Sequence, residues 1–289
     1  MAGYYRRRKS RAARWCLRLA VICIPFFILT VFLHRGGSIT TPQAFWLIAV
    51  GIGMLVLSLI LGVRATIDLW EKGYEGGRAT VNGIVLSLLM MVPFVFLLAQ
   101  AIDNPELNDI STDVLDPPPF LQTENTRDSG SPGYTDVEAR MIVGSYPDIV
   151  GRRYNTPPER IYASVDDILK RWRWRVVASQ NLPDPPAEQA ADGETASGEE
   201  AQAAAVEGDG AAAAEAAEDR DMLLQLRVYG PVMKLPYTVV IRIASQDESS
   251  LVDVRSASSW GPHDFGANAR NIRQFLTELD TQLQGVAGE

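Results

Sequence analysis

Cysteine and histidine are scarce in this chain: of 289 residues, two are Cys and two are His. Both cysteines, Cys16 and Cys23, lie in the first apolar run, so no thiol follows it. That excludes a disulfide framework, a zinc–thiolate centre and a cysteine nucleophile from the remainder of the chain. His263 is the one histidine of the C-terminal half, too few for a multi-histidine metal cluster. Ser256, Ser258 and Ser259 lack the Gly-x-Ser-x-Gly elbow that exposes a serine nucleophile, and no Gly-rich phosphate loop is present. No cofactor or metal is therefore expected, and an enzymatic role is disfavoured.

Charge is missing where apolar residues gather. Three apolar runs, about 15–33, 44–63 and 83–102, crowd the first hundred residues, and the second and third contain no charged residue. Each approaches the ~20 residues a helix needs to cross hydrocarbon. A basic segment (Arg6, Arg7, Arg8, Lys9, Arg11, Arg14) precedes the first run as it would in a signal peptide, but no small-residue cleavage site follows, so an uncleaved anchor is expected. Seven basic residues lie at or before the first span and Arg64, Lys72 and Arg78 between the second and third, against Arg35 alone in the first loop. The positive-inside rule then places the N-terminus in the cytoplasm and everything after about residue 103 outside, in the periplasm of a Gram-negative host. Small residues four apart (Ala49 and Gly53, Ser58 and Gly62, Gly83 and Ser87) suit close helix packing. Without ionisable groups in the spans other than at their ends, a transport path is not indicated.

Residues 181–220 hold eleven acidic residues, one basic residue and fourteen alanines. That is 1 − 11 = −10, so the rest of the chain carries −8 − (−10) = +2 and the overall acidity belongs to this segment. Such a composition predicts a disordered acidic insert. Around it the periodicities predict a compact domain over 151–284, preceded by an extended lead-in over 104–150. Thr156-Pro157-Pro158-Glu159 reads as a capping box opening a helix over 157–172, with Ile161, Val165, Ile168, Leu169 and Trp172 on one face. Alternation marks strands at Trp174, Val176 and Ala178, then Leu224, Leu226 and Val228, then Val239, Ile241 and Ile243, then Val252 and Val254. Asp264 is a good N-cap for a last helix with the stripe Phe265, Ala269, Ile272, Leu276, Leu279 and Leu283. The expected fold is a membrane-anchored α+β protein: three transmembrane helices, then an exported antiparallel sheet packed against two helices.

The run VDVRSASSWGPHDFGANARNIRQFL, residues 252–276, resembles the closing motif of the bacterial domain-of-unknown-function 1499 family. The aspartate-and-proline-rich Asp113 to Phe120 and the Tyr-Pro-Asp-Ile of Tyr146 to Ile149 are similar to that family's earlier segments. The likeness spans most of 109–280. Leu235-Pro236-Tyr237 departs from it, standing where an acidic pair would open the VVIRI strand. The resemblance implies membrane attachment and an α+β domain, and no established activity.

If Leu226, Ile241 and Val254 face the core, strand alternation sends Arg227, Arg242, Asp253 and Arg255 to the opposite face. One expectation is a solvated polar face with Asp253 paired to a neighbouring Arg, each exposed pair contributing roughly 0.2–1 kcal/mol. The other is a seat for an anionic ligand or partner, which Arg binds bidentately. The expected function is thus non-enzymatic binding of a lipid-like or anionic ligand, or of an envelope protein, by an anchored exported domain. The alternative is an accessory subunit of a larger membrane protein complex. The lipid bilayer is an expected partner and nucleic acid is not. A reporter active only after export should work when fused after Gly133 and fail after Gly76; activity at both positions, or the reverse, would overturn the orientation.

Overall fold

The structure is a computed structural model that describes residues 8–122, 135–183, 221–246 and 249–286. Nearly all of the acidic insert expected over 181–220 lies outside the described residues. The chain divides into two compact units: Met1–Asn104 with Gly230–Leu235, and Pro105–Tyr229 with Pro236–Glu289.

The first unit is built on α1 (Arg11–Arg35), α2 (Thr41–Lys72) and α3 (Gly77–Asp103), of 25, 32 and 27 residues. At 1.5 Å per residue these are about 38, 48 and 41 Å long, more than the ~30 Å of a hydrocarbon core. All three are long and apolar enough to cross a membrane. Their mutual contacts rest on the small residues. Ser58 Oγ donates to the Cys16 carbonyl at 2.8 Å, and Ser87 Oγ donates to Ser58 Oγ at 2.8 Å. A Cβ on Gly83 would lie 2.5 Å from Cys16 Sγ and 2.9 Å from the Leu17 backbone nitrogen, so only glycine lets α3 come this close to α1. Gly53 is different: among the described residues nothing lies within 4 Å of where its Cβ would be.

The second unit holds a six-stranded sheet: β1 (Asp109–Ser111), β2 (Arg152–Tyr154), β3 (Arg175–Gln180), β4 (Met222–Tyr229), β5 (Pro236–Gln246) and β6 (Ser249–Ser258). The order is β1-β6-β5-β4-β3 with every pairing antiparallel, and β2 shares the outer edge of β6 with β1. Helices α4 (Asp136–Ser145), α5 (Pro158–Trp172) and α6 (Ala267–Val286) complete it. One apolar cluster joins Ile142 and Tyr146, Ile161, Val165, Ile168 and Leu169, and Ile272, Phe275, Leu276 and Leu279 to Leu224, Leu226, Val239, Ile241, Ile243, Val252 and Val254.

Helix α4 corrects the expectation of an extended lead-in and of two helices only. Its Thr135-x-x-Glu138 capping box is formed in both directions: the Glu138 amide donates to Thr135 Oγ1, and the Thr135 amide to Glu138 Oε2 at 2.7 Å. Helix α5 starts without the box expected of Thr156; its N-cap is Pro157 and no side chain caps it. In β3 a register shift between Val176 and Ala178 breaks the alternation, and Val176 is exposed. Phe265 also leaves its expected stripe. It sits at φ 55°, before the first residue of α6, and is exposed, while Phe275 fills the core.

Val254 is fully buried and paired with Ile241. Val254→Asp places a charge in the apolar cluster and should destabilise the domain by more than about 3 kcal/mol, seen as loss of folded protein by circular dichroism. A melting temperature unchanged by the substitution would contradict this packing.

Candidate functional site

The register sets the four predicted residues in rows. Arg242 pairs with Asp253, Val240 with Arg255, and Thr238 with both Arg227 and Ala257. All four therefore lie on the sheet face away from the helices, as alternation predicts. The face is not solvated. Asp253 is 2% exposed, Arg255 6% and Arg242 7%, and Arg227 is half-buried.

What covers it is the chain's own segment 109–122. Asp109 receives a two-toothed grip from Arg255, Nε to Oδ1 at 2.9 Å and Nη2 to Oδ2 at 2.7 Å. The same guanidinium donates from Nη1 to the Pro118 carbonyl at 3.1 Å, and its carbon lies 4.2 Å from the centre of the Phe120 ring. Arg242 donates to three carboxylates: Asp116 at 2.7 Å, Asp113 at 2.9 Å and Asp253 at 3.0 Å. Burial alone would lower its pKa; the hydrogen bonds to Asp253 and Asp116 outweigh that and hold it above its ordinary value.

Uncharged groups fasten the rest. Thr112 Oγ1 donates to Asp253 Oδ1 and accepts from the Val254 amide, both at 2.9 Å. Gln225, buried in β4, accepts from the Leu121 and Gln122 amides at 2.6 and 2.9 Å and donates to the Gln122 carbonyl at 2.9 Å. A Cβ on Gly151 would fall 2.5 Å from Asp253 Oδ1, so the backbone beside β2 closes over that carboxylate.

Sequence reasoning places the arginines but not their partners Asp109, Asp113, Asp116 and Phe120, nor Thr112 and Gln225, which fasten the strap to Asp253 and β4. The signal was the aspartate-rich lead-in facing a strand pair rich in arginine. His263 and Asp264 have local work. Asp264 accepts from the Gly266 and Asn268 amides at 2.8 and 2.6 Å and so caps α6. Burial raises its carboxyl pKa, and those two amides oppose the rise. His263 stacks on Phe265, and its Nδ1 accepts from the Phe265 amide at 2.9 Å. Among the described residues no group of three or more His, Cys, Asp or Glu could hold a metal ion.

The fold and this face define a class: an antiparallel α+β domain, preceded by three apolar helices, with an acidic strap bonded across its sheet. The model of the family described as Protein of unknown function (DUF1499) matches residues 109–279, and the chain belongs to that family. The matched region begins at Asp109, the first carboxylate of the strap. No curated protein and no solved structure matches the chain.

A solvated Arg255 would contribute less than about 1 kcal/mol through its ion pair. Buried in a grip on Asp109, it should cost about 3–5 kcal/mol when cut to Ala, because Asp109 is left charged and enclosed. Asp109→Ala combined with Arg255→Ala should recover part of that loss. Chemical denaturation of the three variants checks the coupling, and purely additive losses would contradict it.

Proposed function

We propose that this chain is an inner-membrane protein whose N-terminus is cytoplasmic and whose α+β domain is exported. In this reading the domain is a non-enzymatic accessory module that engages an envelope protein or a larger membrane complex. The observation that carries it is the internal use of the conspicuous polar groups: Arg242 and Arg255 bind the chain's own aspartates, and Asp264 caps a helix. Side chains so committed hold a shape, and a held shape presents a surface to a partner.

A second reading keeps an anionic ligand, such as a lipid headgroup or a carboxylate, at Arg227, Arg242, Asp253 and Arg255. One observation favours it. The Asp116 side chain is 83% exposed although it is bonded to Arg242, so an external carboxylate or phosphate reaches that donor by replacing Asp116 alone.

The two readings separate when the full chain is purified in mild detergent and everything that accompanies it is weighed by mass spectrometry. The accessory reading expects stoichiometric protein, unaffected by Asp116→Asn. The ligand reading expects a bound anion whose occupancy rises when Asp116→Asn weakens the internal competitor and disappears in Arg242→Ala, checked for folding by circular dichroism. Neither protein nor anion accompanying the wild-type chain would sink both.

A further inference from the structure

The turn between β4 and β5 opens as turns usually do and then departs from the pattern. Turns are ordinarily built from Gly, Pro, Asn, Asp and Ser, and after Gly230-Pro231 this one continues Val-Met-Lys-Leu. Here the segment is Tyr229-Gly230-Pro231-Val232-Met233-Lys234-Leu235-Pro236, with one charge, positive, and no acidic residue. The loop is firmly closed: the Gly230 amide donates to the Leu235 carbonyl at 2.9 Å, and the Lys234 amide to the Gly230 carbonyl at 3.1 Å. Closing it puts Lys234 at φ 52°, a left-handed position that favours glycine or asparagine. Two of its apolar side chains are nonetheless turned outward, Val232 being 65% and Tyr229 53% exposed, while Met233 and Leu235 are half-buried and Arg35 holds the backbone by donating to the Pro231 and Val232 carbonyls at 2.6 and 2.9 Å.

The position of this tip on the sheet is informative. Asp109 of β1 pairs with Ala257, Ala257 with Thr238, and Thr238 with Arg227, a single row across four strands. Since β1 and β5 begin at that row's end of the sheet and β4 finishes there, the chain enters the domain at the end that carries the tip. Only residues 104–108 separate the last residue of α3 from the first of β1. That tether reaches at most about 20 Å. The entry end of the sheet is thus joined through five residues to an apolar helix of membrane-spanning length.

We infer that the tip Gly230–Leu235 is a lipid-contacting element: Val232 and Met233 enter the interfacial zone of the bilayer, Tyr229 sits at headgroup level and Lys234 meets lipid phosphate. Each part has the chemistry for this. Aromatic rings with a polar end concentrate at headgroup depth, a lysine near anionic headgroups is attracted to them, and apolar side chains leave water as they enter. The inference rests on the reading of the three helices as membrane spans.

The test uses the full chain in nanodiscs of phosphatidylethanolamine and phosphatidylglycerol. Single labelling cysteines are placed at Val232, at Ser245 on the opposite end of β5, and at Val85 on α3, and each carries a polarity-sensitive fluorophore. The fully buried Cys16 and Cys23 stay unlabelled. Lipids bearing a spin label near the headgroup are the quencher. The expected result is strong quenching at Val85 and several-fold stronger quenching at Val232 than at Ser245. Quenching at Val85 with Val232 no different from Ser245 overturns the inference and leaves the spans standing. Protection of Val232 from both the lipid quencher and aqueous iodide means that protein covers the tip, and also overturns it. If Val85 is not quenched, the membrane reading itself fails and takes this inference with it.

Discussion

A guanidinium keeps its charge at any accessible pH, so Arg242 and Arg255, once turned toward a covered face of the sheet, must find anions within the fold. Most of this domain's unusual features follow from that requirement. Taking a charge out of water costs several kcal/mol, and the cost is recovered only when geometry is good and the remaining hydrogen-bonding positions are filled. Asp109 meets the condition for Arg255 by aligning both oxygens with the fork, and Pro118 and Phe120 take its remaining edge and its flat face. For Arg242, three carboxylates do what one does elsewhere.

The strap is shaped by the same bonds. Asp113 turns one oxygen to Arg242 and accepts the Leu115 and Asp116 amides on the other, at 3.0 Å each. One carboxylate thus sets a local turn and fixes it to the sheet. At the other end, the Gln225 amide does for the extended backbone of 121–122 what a neighbouring strand would do. Pairing of Arg242 with Asp253 also fixes register, because a one-residue slip of β6 against β5 would send Asp253 into the apolar layer. The edge of β6 gains too: β1 and β2 occupy it in succession, which leaves less of that strand for another chain to pair with.

The parts of the fold legible in the sequence are those where one residue's environment follows from its own periodicity. The apolar runs, the Ile161–Leu169 face of α5 and the inward set Leu226, Ile241 and Val254 all obey this, since spacing alone decides which side faces the core. What could not be read depends on residues distant in the chain. Nothing in the spacing of Asp109, Asp113 and Asp116 says that they meet strands more than 120 positions later. Alternation locates the polar face, and of its two expected states burial excludes the solvated one. Helix α4 is hidden for another reason. Its capping box was visible at Thr135 and Glu138, but ten residues with only Ile142 fully inward offer too little periodicity to distinguish helix from lead-in. Phe265 departs from its expected stripe because a left-handed backbone at a bulky residue is not something composition foretells.

The charge of the strapped face constrains its choice of ligand. By formal charge Arg242 and Arg255 contribute +2, and Asp109, Asp113, Asp116, Asp221 and Asp253 contribute −5, so the cluster is −3 before Arg227 is counted. An incoming anion finds no surplus of positive charge there and gains a guanidinium only by taking the place of a strap carboxylate. Binding at the arginines and release of the strap would then be a single event. Because the strap follows α3 after residues 104–108, its release would also loosen the stretch through which the domain is tied to that helix. An accessory module whose strap stays closed has no such coupling; its arginines maintain the sheet, and its contacts with partners lie elsewhere on the surface.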